Sequence, residues 1–331
     1  MEKLAWSEPI RGQSLAVRLL SAALEKNRLA QSYLFYGPEG VGKSFTALRL
    51  GMAVQCENGE GCACGVCNSC RMMLRGIHPD WHVVQPEGTS NAIRIDQIRE
   101  LQTIMSRRPN LGKRRIAVLD PADRMNEPAA NALLKLLEEP PEDSLLILVT
   151  SAPQRLLPTI SSRCQPLRFT TLSAEDLASA IPEGYSEQQC LALLRNAQGS
   201  MGRLMRLSLD QEWDEERQQA MAWFFAEPSW DALERMHQAE VLGDALDREA
   251  CAQLLLLWQH LYRDRLVLAS GGTEALLWNP DALAELEAMP YLSSLHIKQR
   301  IGMLRHAVLQ VQSNTSIRAV LESLLLRWAE H

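Results

Sequence analysis

Apolar residues recur at helical spacing through "SLAVRLLSAALEKN", residues 14–27, and predict an amphipathic helix. Directly after it, "SYLFYG" is a short uninterrupted apolar run, which suits a buried strand. The same alternation continues. "KSFTALRLGMAVQ" reads as a helix, "HVVQP" as a strand, "IDQIRELQTIMSRR" as a helix and "RIAVLD" as a strand. "PAANALLKLLEEPP" reads as a helix stopped by two prolines, "LLILVTS" as a strand, and "PLRFT" as a last one. Strands that alternate with helices, and that are apolar throughout, predict a parallel sheet covered on both faces.

From "LSAEDLASAI" onward the strand signals fade. Residues 172–210 predict a small helical unit ending near "NAQGSMGRL". Residues 211–331 carry long helical patterns, among them "REACAQLLLLWQHLYRDRLVLAS" and "SIRAVLESLLLRWAEH", punctuated by Pro228, Pro280 and Pro290. The expected architecture is therefore an α/β domain over 1–171 followed by helical domains over 172–210 and 211–331.

Composition narrows the class. With 46% apolar residues among 331, a full core is available. The formal net charge of −6 argues against a freestanding nucleic-acid binder, which usually needs a basic balance. No apolar run reaches the length of a membrane span, and the N-terminus lacks signal-peptide order, so the expected compartment is the cytoplasm. Five of the eight cysteines fall within residues 56–70, which in a reducing compartment points to a metal.

Two motifs carry chemistry. "GPEGVGKS" sets Gly37, Gly40, Gly42, Lys43 and Ser44 between a strand and a helix, in the phosphate-loop pattern. Glycines let backbone N–H groups curl round phosphate oxygens; Lys43 would reach the outer phosphates and Ser44 would hold magnesium. "CENGEGCACGVCNSC" offers Cys64, Cys67 and Cys70 in consecutive Cys-x2-Cys steps, suited to a structural zinc. The fourth ligand is Cys56 or Cys62. Cys56 is preferred, because Cys62 leaves little chain to curl round an ion. His78 and His82 lie nearby but are discounted.

In order, the phosphate loop, the cysteine knuckle, "LDPADRMNEPAANALLKLLEEPP" and "LVTSAPQRLLPTISSRCQPLRF" together resemble bacterial clamp-loader subunits of the AAA+ class. Two subunit types share these features, the ATP-hydrolysing gamma/tau motor and delta-prime. "GIHPDWHVVQPEG", "IRIDQIREL" and "SNTSIRAVLESLLLRW" look like the delta-prime type. The resemblance implies a RecA-like P-loop AAA+ domain with flanking helices, a helical lid and an all-α collar. It also implies a five-membered ring with gamma/tau and delta that loads a sliding clamp on primed DNA as part of the DNA polymerase III holoenzyme.

Within that resemblance, two departures stand out. The strand that delivers Asp120 is followed by Pro121, where a motor subunit carries the glutamate that activates water. Removing a general base typically costs ~100- to 10,000-fold in rate. Asp123 is three residues further on, in an expected turn, and is a poor substitute. The lid reads "GSMGRL", with Gly202 where a motor subunit has its phosphate-reading arginine and Arg203 one residue late. The expectation is a subunit that can bind ATP or ADP with magnesium but hydrolyses weakly or not at all. Competing readings are a gamma/tau-type motor and a zinc-knuckle DNA-binding protein with a vestigial ATPase fold.

Thr150 and Ser151 take the family's sensing position at a strand end, or are simply a polar strand terminus. Arg163, in "SRC", is in the family an arginine supplied to a neighbour's ATP site; alternatively it is a surface arginine paired with an acid. "RRPNLGKRR", 107–115, reads as a solvated basic loop, Trp223, Phe224, Phe225 and Trp230 as core or interface, and Cys164 as a buried apolar residue.

Overall fold

In the computed structural model, five apolar runs form one sheet: β1 (Ser32–Tyr36), β2 (Trp81–Val84), β3 (Arg115–Leu119), β4 (Ser144–Thr150) and β5 (Gln165–Arg168). Their order is β2-β3-β4-β1-β5, and every pairing is parallel. The structure describes residues 6, 9–59, 61–88, 91–209, 211–313 and 315–329. By contacts the chain divides into two compact units, Met1–Ser179 with Gly199–Arg203, and Ala180–Gln198 with Leu204–His331.

The sheet belongs to the first unit. β3 and β4 are buried at every position, which is why they read as continuous apolar runs without alternation. The helices here are α1 (Ser14–Glu25), α2 (Lys43–Gln55), α3 (Asn68–Leu74), α4 (Ile95–Met105), α5 (Glu127–Glu138), α6 (Pro158–Ser161) and α7 (Ala174–Ala178). Ile98, Leu101 and Met105 of α4 and Leu133 and Leu137 of α5 share a core with Ala117, Leu119, Leu146 and Leu148. The alternate strand residues Ile116, Val118, Leu145 and Ile147 are equally buried, so both faces are covered. α5 starts where the Asn126 side chain accepts the N–H of Ala129 at 2.9 Å, with proline in the first turn, and it ends before Pro140. α3, inside the cysteine segment, has no counterpart among the helices expected from the sequence.

The second unit is helical among the described residues. It holds α8 (Glu187–Ala197), most of α9 (Met201–Leu209), α10 (Gln211–Ala226), α11 (Ala232–Ala245), α12 (Arg248–Ala269), α13 (Leu283–Ala288), α14 (Ser294–Gln312) and α15 (Ile317–Ala329). Phe224, Trp258, Tyr262 and Trp328 form its buried aromatic centre, and Trp223, Phe225 and Trp230 pack against it, so the aromatic run is core. One fully buried acid, Glu227, ties the bundle: it pairs with Arg235 and, at 3.1 Å, with Arg300. No helix among the described residues is long and apolar enough to cross a membrane.

Candidate functional site

Parallel strands carry their loops to one edge, so the segments leaving β1, β3 and β4 meet there. The phosphate loop follows β1. Gly42, at φ 99°, caps α2 in a left-handed conformation that costs a side-chain-bearing residue energy. The start of α2 is thereby placed at the loop, where its N–H groups suit an anion. Lys43 is buried, and its ammonium donates to the carbonyls of Gly37 at 2.8 Å and Pro38 at 2.5 Å. Burial lowers its pKa from the usual lysine range; Asp120, Glu39 and Asp123 work against that.

Ser44 donates its hydroxyl to Asp120 Oδ2, so the start of α2 and the end of β3 meet at the phosphate loop. Burial raises the pKa of Asp120, and the Ser44 hydrogen bond and Lys43 offset it in part. The surprise is Asp123. Its carboxylate accepts the Thr150 hydroxyl, which in turn accepts the N–H of Ala152 at 2.9 Å. Thr150 is fully buried and fixed on that acid, whereas Ser151 is exposed. Asp123 therefore belongs to the same charged cluster as Lys43 and Asp120. Sequence reading set it aside as a turn residue; the turn exists, as the 3-10 segment Ala122–Arg124, but it points the acid inward.

The Gly199–Arg203 segment reaches this loop through backbone. Gly202 N–H donates to the Gly40 carbonyl at 2.8 Å. A Cβ on Gly202 would stand 3.1 Å from Gly40 Cα, and a Cβ on Gly40 would meet the Ser200 hydroxyl.

Four sulfurs form the second cluster. The Sγ atoms of Cys56, Cys64, Cys67 and Cys70 all lie within 4.8 Å of one another. Cys56 comes from the C-terminal end of α2 and Cys67 from the N-cap of α3. Cys64 Sγ accepts from the Cys67 N–H at 3.4 Å and from the Asn58 amide at 3.2 Å; Cys67 Sγ accepts from the Cys70 N–H at 3.3 Å. Burial opposes ionisation of Cys64, yet the N–H groups of Cys67 and Val66 and the neighbouring thiols draw its pKa down to about 6. This donor set fits a tetrahedral, closed metal site. Cys62 is buried outside it. His78 is occupied elsewhere, with Nε2 on Ser69 Oγ at 2.9 Å and Nδ1 accepting the Asp80 N–H at 3.1 Å.

Arg163 is exposed just before β5, at a lateral edge of the sheet. Its guanidinium pairs with Glu138 at 2.8 Å and donates to the Thr159 carbonyl at 3.0 Å. Burial pushes the Cys164 thiol beside it up to about 12, so this sulfur is a packed apolar group and not a nucleophile.

Residues 12–173 match the family described as DNA polymerase III, delta subunit. The chain is 31% identical to the DNA polymerase III subunit delta′ of Bacillus subtilis, with 99% of each chain covered. It belongs to the DNA polymerase III delta′ subunit family.

The delta′ subunit of Pseudomonas aeruginosa is 43% identical to this chain, over 50% of this chain and 52% of that one. The tau subunit of Escherichia coli matches at 32% identity over 57% of this chain and 30% of its own length. Among solved structures, a gamma-subunit-related protein of Thermotoga maritima shares the fold, with TM-score 0.53, 17% identity and coverage of 94% and 98%. Delta′ family membership places the chain in DNA replication, as a subunit of the DNA polymerase III clamp loader.

Proposed function

We propose that this delta′ chain is a largely stationary AAA+ subunit, whose chemical contribution is Arg163 supplied in trans to a neighbouring subunit's ATP site. The observation that carries this reading is the state of Arg163. It is exposed at the sheet's lateral edge, yet Glu138 and Thr159 hold its guanidinium in one place. A planar, permanently charged fork suits a phosphate that gains charge as its bond breaks. The chain's own site supports the same reading. Pro121 follows Asp120 where an acid would activate water, and Gly202 stands where an arginine would read the outer phosphate.

In this reading Lys43 with Gly37, Gly40 and Gly42 holds the phosphates of ATP or ADP. Ser44 and Asp120 hold magnesium, and Thr150 and Ser151 sense the outer phosphate. Hydrolysis here is negligible. Cys56, Cys64, Cys67 and Cys70 hold a structural zinc. The domains are the AAA+ unit over 1–171 with its knuckle at 56–70, a lid over 172–210 and a collar over 211–331. The collar joins gamma/tau and delta in a heteropentameric ring, which engages the sliding clamp and primed DNA in the cytoplasm.

The test is an Arg163→Ala chain assembled with its partner subunits. Assembly and nucleotide binding should be normal. Hydrolysis at the adjoining site should fall steeply, since an arginine supplied in trans contributes ~1,000- to 100,000-fold, and clamp loading should fall with it. Wild-type loading by the assembled variant would show that Arg163 is only a surface charge.

A further inference from the structure

Thr150 ends β4 directly beside the start of the phosphate loop. It pairs in register with Tyr36 of β1, and its carbonyl accepts the Gly37 N–H at 3.3 Å. The residue is fully buried. A threonine hydroxyl has one proton to donate, and a carboxylate only accepts. The proton of Thr150 therefore goes to Asp123. The same oxygen accepts the Ala152 N–H at 2.9 Å. While Asp123 holds it, Thr150 has no proton to offer a ligand.

The neighbouring side chains are engaged as well. Lys43 donates to the carbonyls of Gly37 and Pro38, and Ser44 donates to Asp120. An ammonium has three N–H groups, so Lys43 keeps one for a phosphate. The rest of the offer is backbone, the N–H groups at the start of α2. The charge balance runs the same way. Burial weakens the Lys43 ammonium, and the groups that support it are Asp120, Glu39 and Asp123. Each further phosphate adds negative charge where one ammonium already faces these acids, and such repulsion is poorly screened in a buried site.

We infer that Asp123 sets the phosphate count of this site: by holding the proton of Thr150 and adding negative charge beside the loop, it makes the site select a nucleoside diphosphate over the triphosphate. The loop backbone and Lys43 suffice for a diphosphate. A third phosphate finds Thr150 already taken, and can recruit it only by breaking its bond to a charged acceptor. Losing such a bond weakens binding roughly tenfold or more. A subunit that keeps diphosphate and resists its exchange for triphosphate does not cycle, which suits a stationary role. Diphosphate selection presupposes that the phosphate loop holds adenine nucleotide, as proposed above, and it is independent of Arg163.

The test is titration calorimetry of the full chain with ADP and with ATP, magnesium in excess. The quantity read is the ratio of the two affinities, and the affinity for ADP reports that the site is intact. The wild type should favour ADP by roughly tenfold or more. Asp123→Ala frees the Thr150 hydroxyl and removes the charge, and should move the ratio toward ATP by a similar factor. Adding Thr150→Val to that variant should reverse part of the gain. Asp123→Asn keeps an acceptor for Thr150 and removes only the charge, so it should move the ratio in the same direction by less. It also serves if the alanine variant folds poorly. Equal affinity of the wild type for ADP and ATP would overturn diphosphate selection and leave the nucleotide site standing. So would a ratio that neither Asp123 variant changes. Binding of neither nucleotide would overturn both, and would leave the role of Arg163 untouched.

Discussion

Gly202 and Gly40 are joined backbone to backbone: the N–H of Gly202 donates to the Gly40 carbonyl at 2.8 Å, and a Cβ on Gly202 would stand 3.1 Å from Gly40 Cα. The Gly199–Arg203 segment thus touches the phosphate loop at Gly202. A side chain at 202 therefore requires the Gly40 backbone to give by a few tenths of an ångström.

Restoring the two missing groups together, as Pro121→Glu with Gly202→Arg, should therefore not create a motor. The new side chain at 202 must shift the Gly40 backbone by a few tenths of an ångström, which disturbs the loop that would hold the phosphates. Steady-state ATP turnover by the pure chain should stay near background for the wild type, each single variant and the double variant. Brisk turnover by the double variant, lost on adding Lys43→Ala, would show that lid and loop tolerate the arginine and that the crowding is unimportant.

The knuckle should hold its metal through Cys56 and not Cys62. Elemental analysis of the wild type should give about one zinc per chain, as a closed four-thiolate site implies. Cys62→Ser should keep the zinc. Cys56→Ser should lose most of it and lower the melting temperature, since binding to a structural site is coupled to folding. The opposite pattern would exchange the two ligands.

Glu138 should matter to a neighbour's hydrolysis without mattering to this chain's stability. Its bond to Arg163 joins two partly exposed side chains, and such pairs contribute about 1 kcal/mol or less. Glu138→Gln should leave the melting temperature unchanged. In the assembled complex it should lower ATP turnover less than Arg163→Ala does, because the arginine remains but is no longer held. Turnover equal to wild type would mean that Glu138 does not position Arg163 for the neighbour.

Asp80 should make the AAA+ unit acid-sensitive. Burial opposes its ionisation, but the N–H groups of Asn110, Gly112 and Leu111, together with Arg115, outweigh burial and hold its pKa below the ordinary 3.8. A depressed carboxyl pKa means the folded state favours the ionised form. The stability it confers is fully present above pH 3.8 and is lost as pH falls through the lower, folded-state value. Asp80→Asn should cost about 1.5–3 kcal/mol at neutral pH, the range for hydrogen bonds to a charged group. The difference from wild type should narrow below pH 3.8. Denaturant titrations at neutral and acid pH measure both, and a pH-independent difference would assign the loss to packing.

The sequence by itself determined whatever is written in short-range spacing. α2 begins at Lys43 because the phosphate-loop glycines precede it, and β3 and β4 are legible because strands buried on both faces must be apolar throughout. The cysteine cluster was legible too, since two Cys-x2-Cys steps bring sulfurs together within one turn each, and Cys56 needed only the end of α2 to join them. Pro121 and Gly202 could be noticed as departures because the positions around them are fixed by the same local motifs. Only the tertiary structure decided how residues far apart in the chain meet. Asp123 reaches Thr150 across 27 positions, Gly202 lies on Gly40, and Asp80 braces a loop 30 positions away. Such contacts depend on which strand ends share an edge and how closely two backbones approach. A hydrogen bond is set by tenths of an ångström between groups whose separation in sequence carries no signal, so the acid in a turn and the basic loop each looked ordinary until the sheet brought their partners beside them.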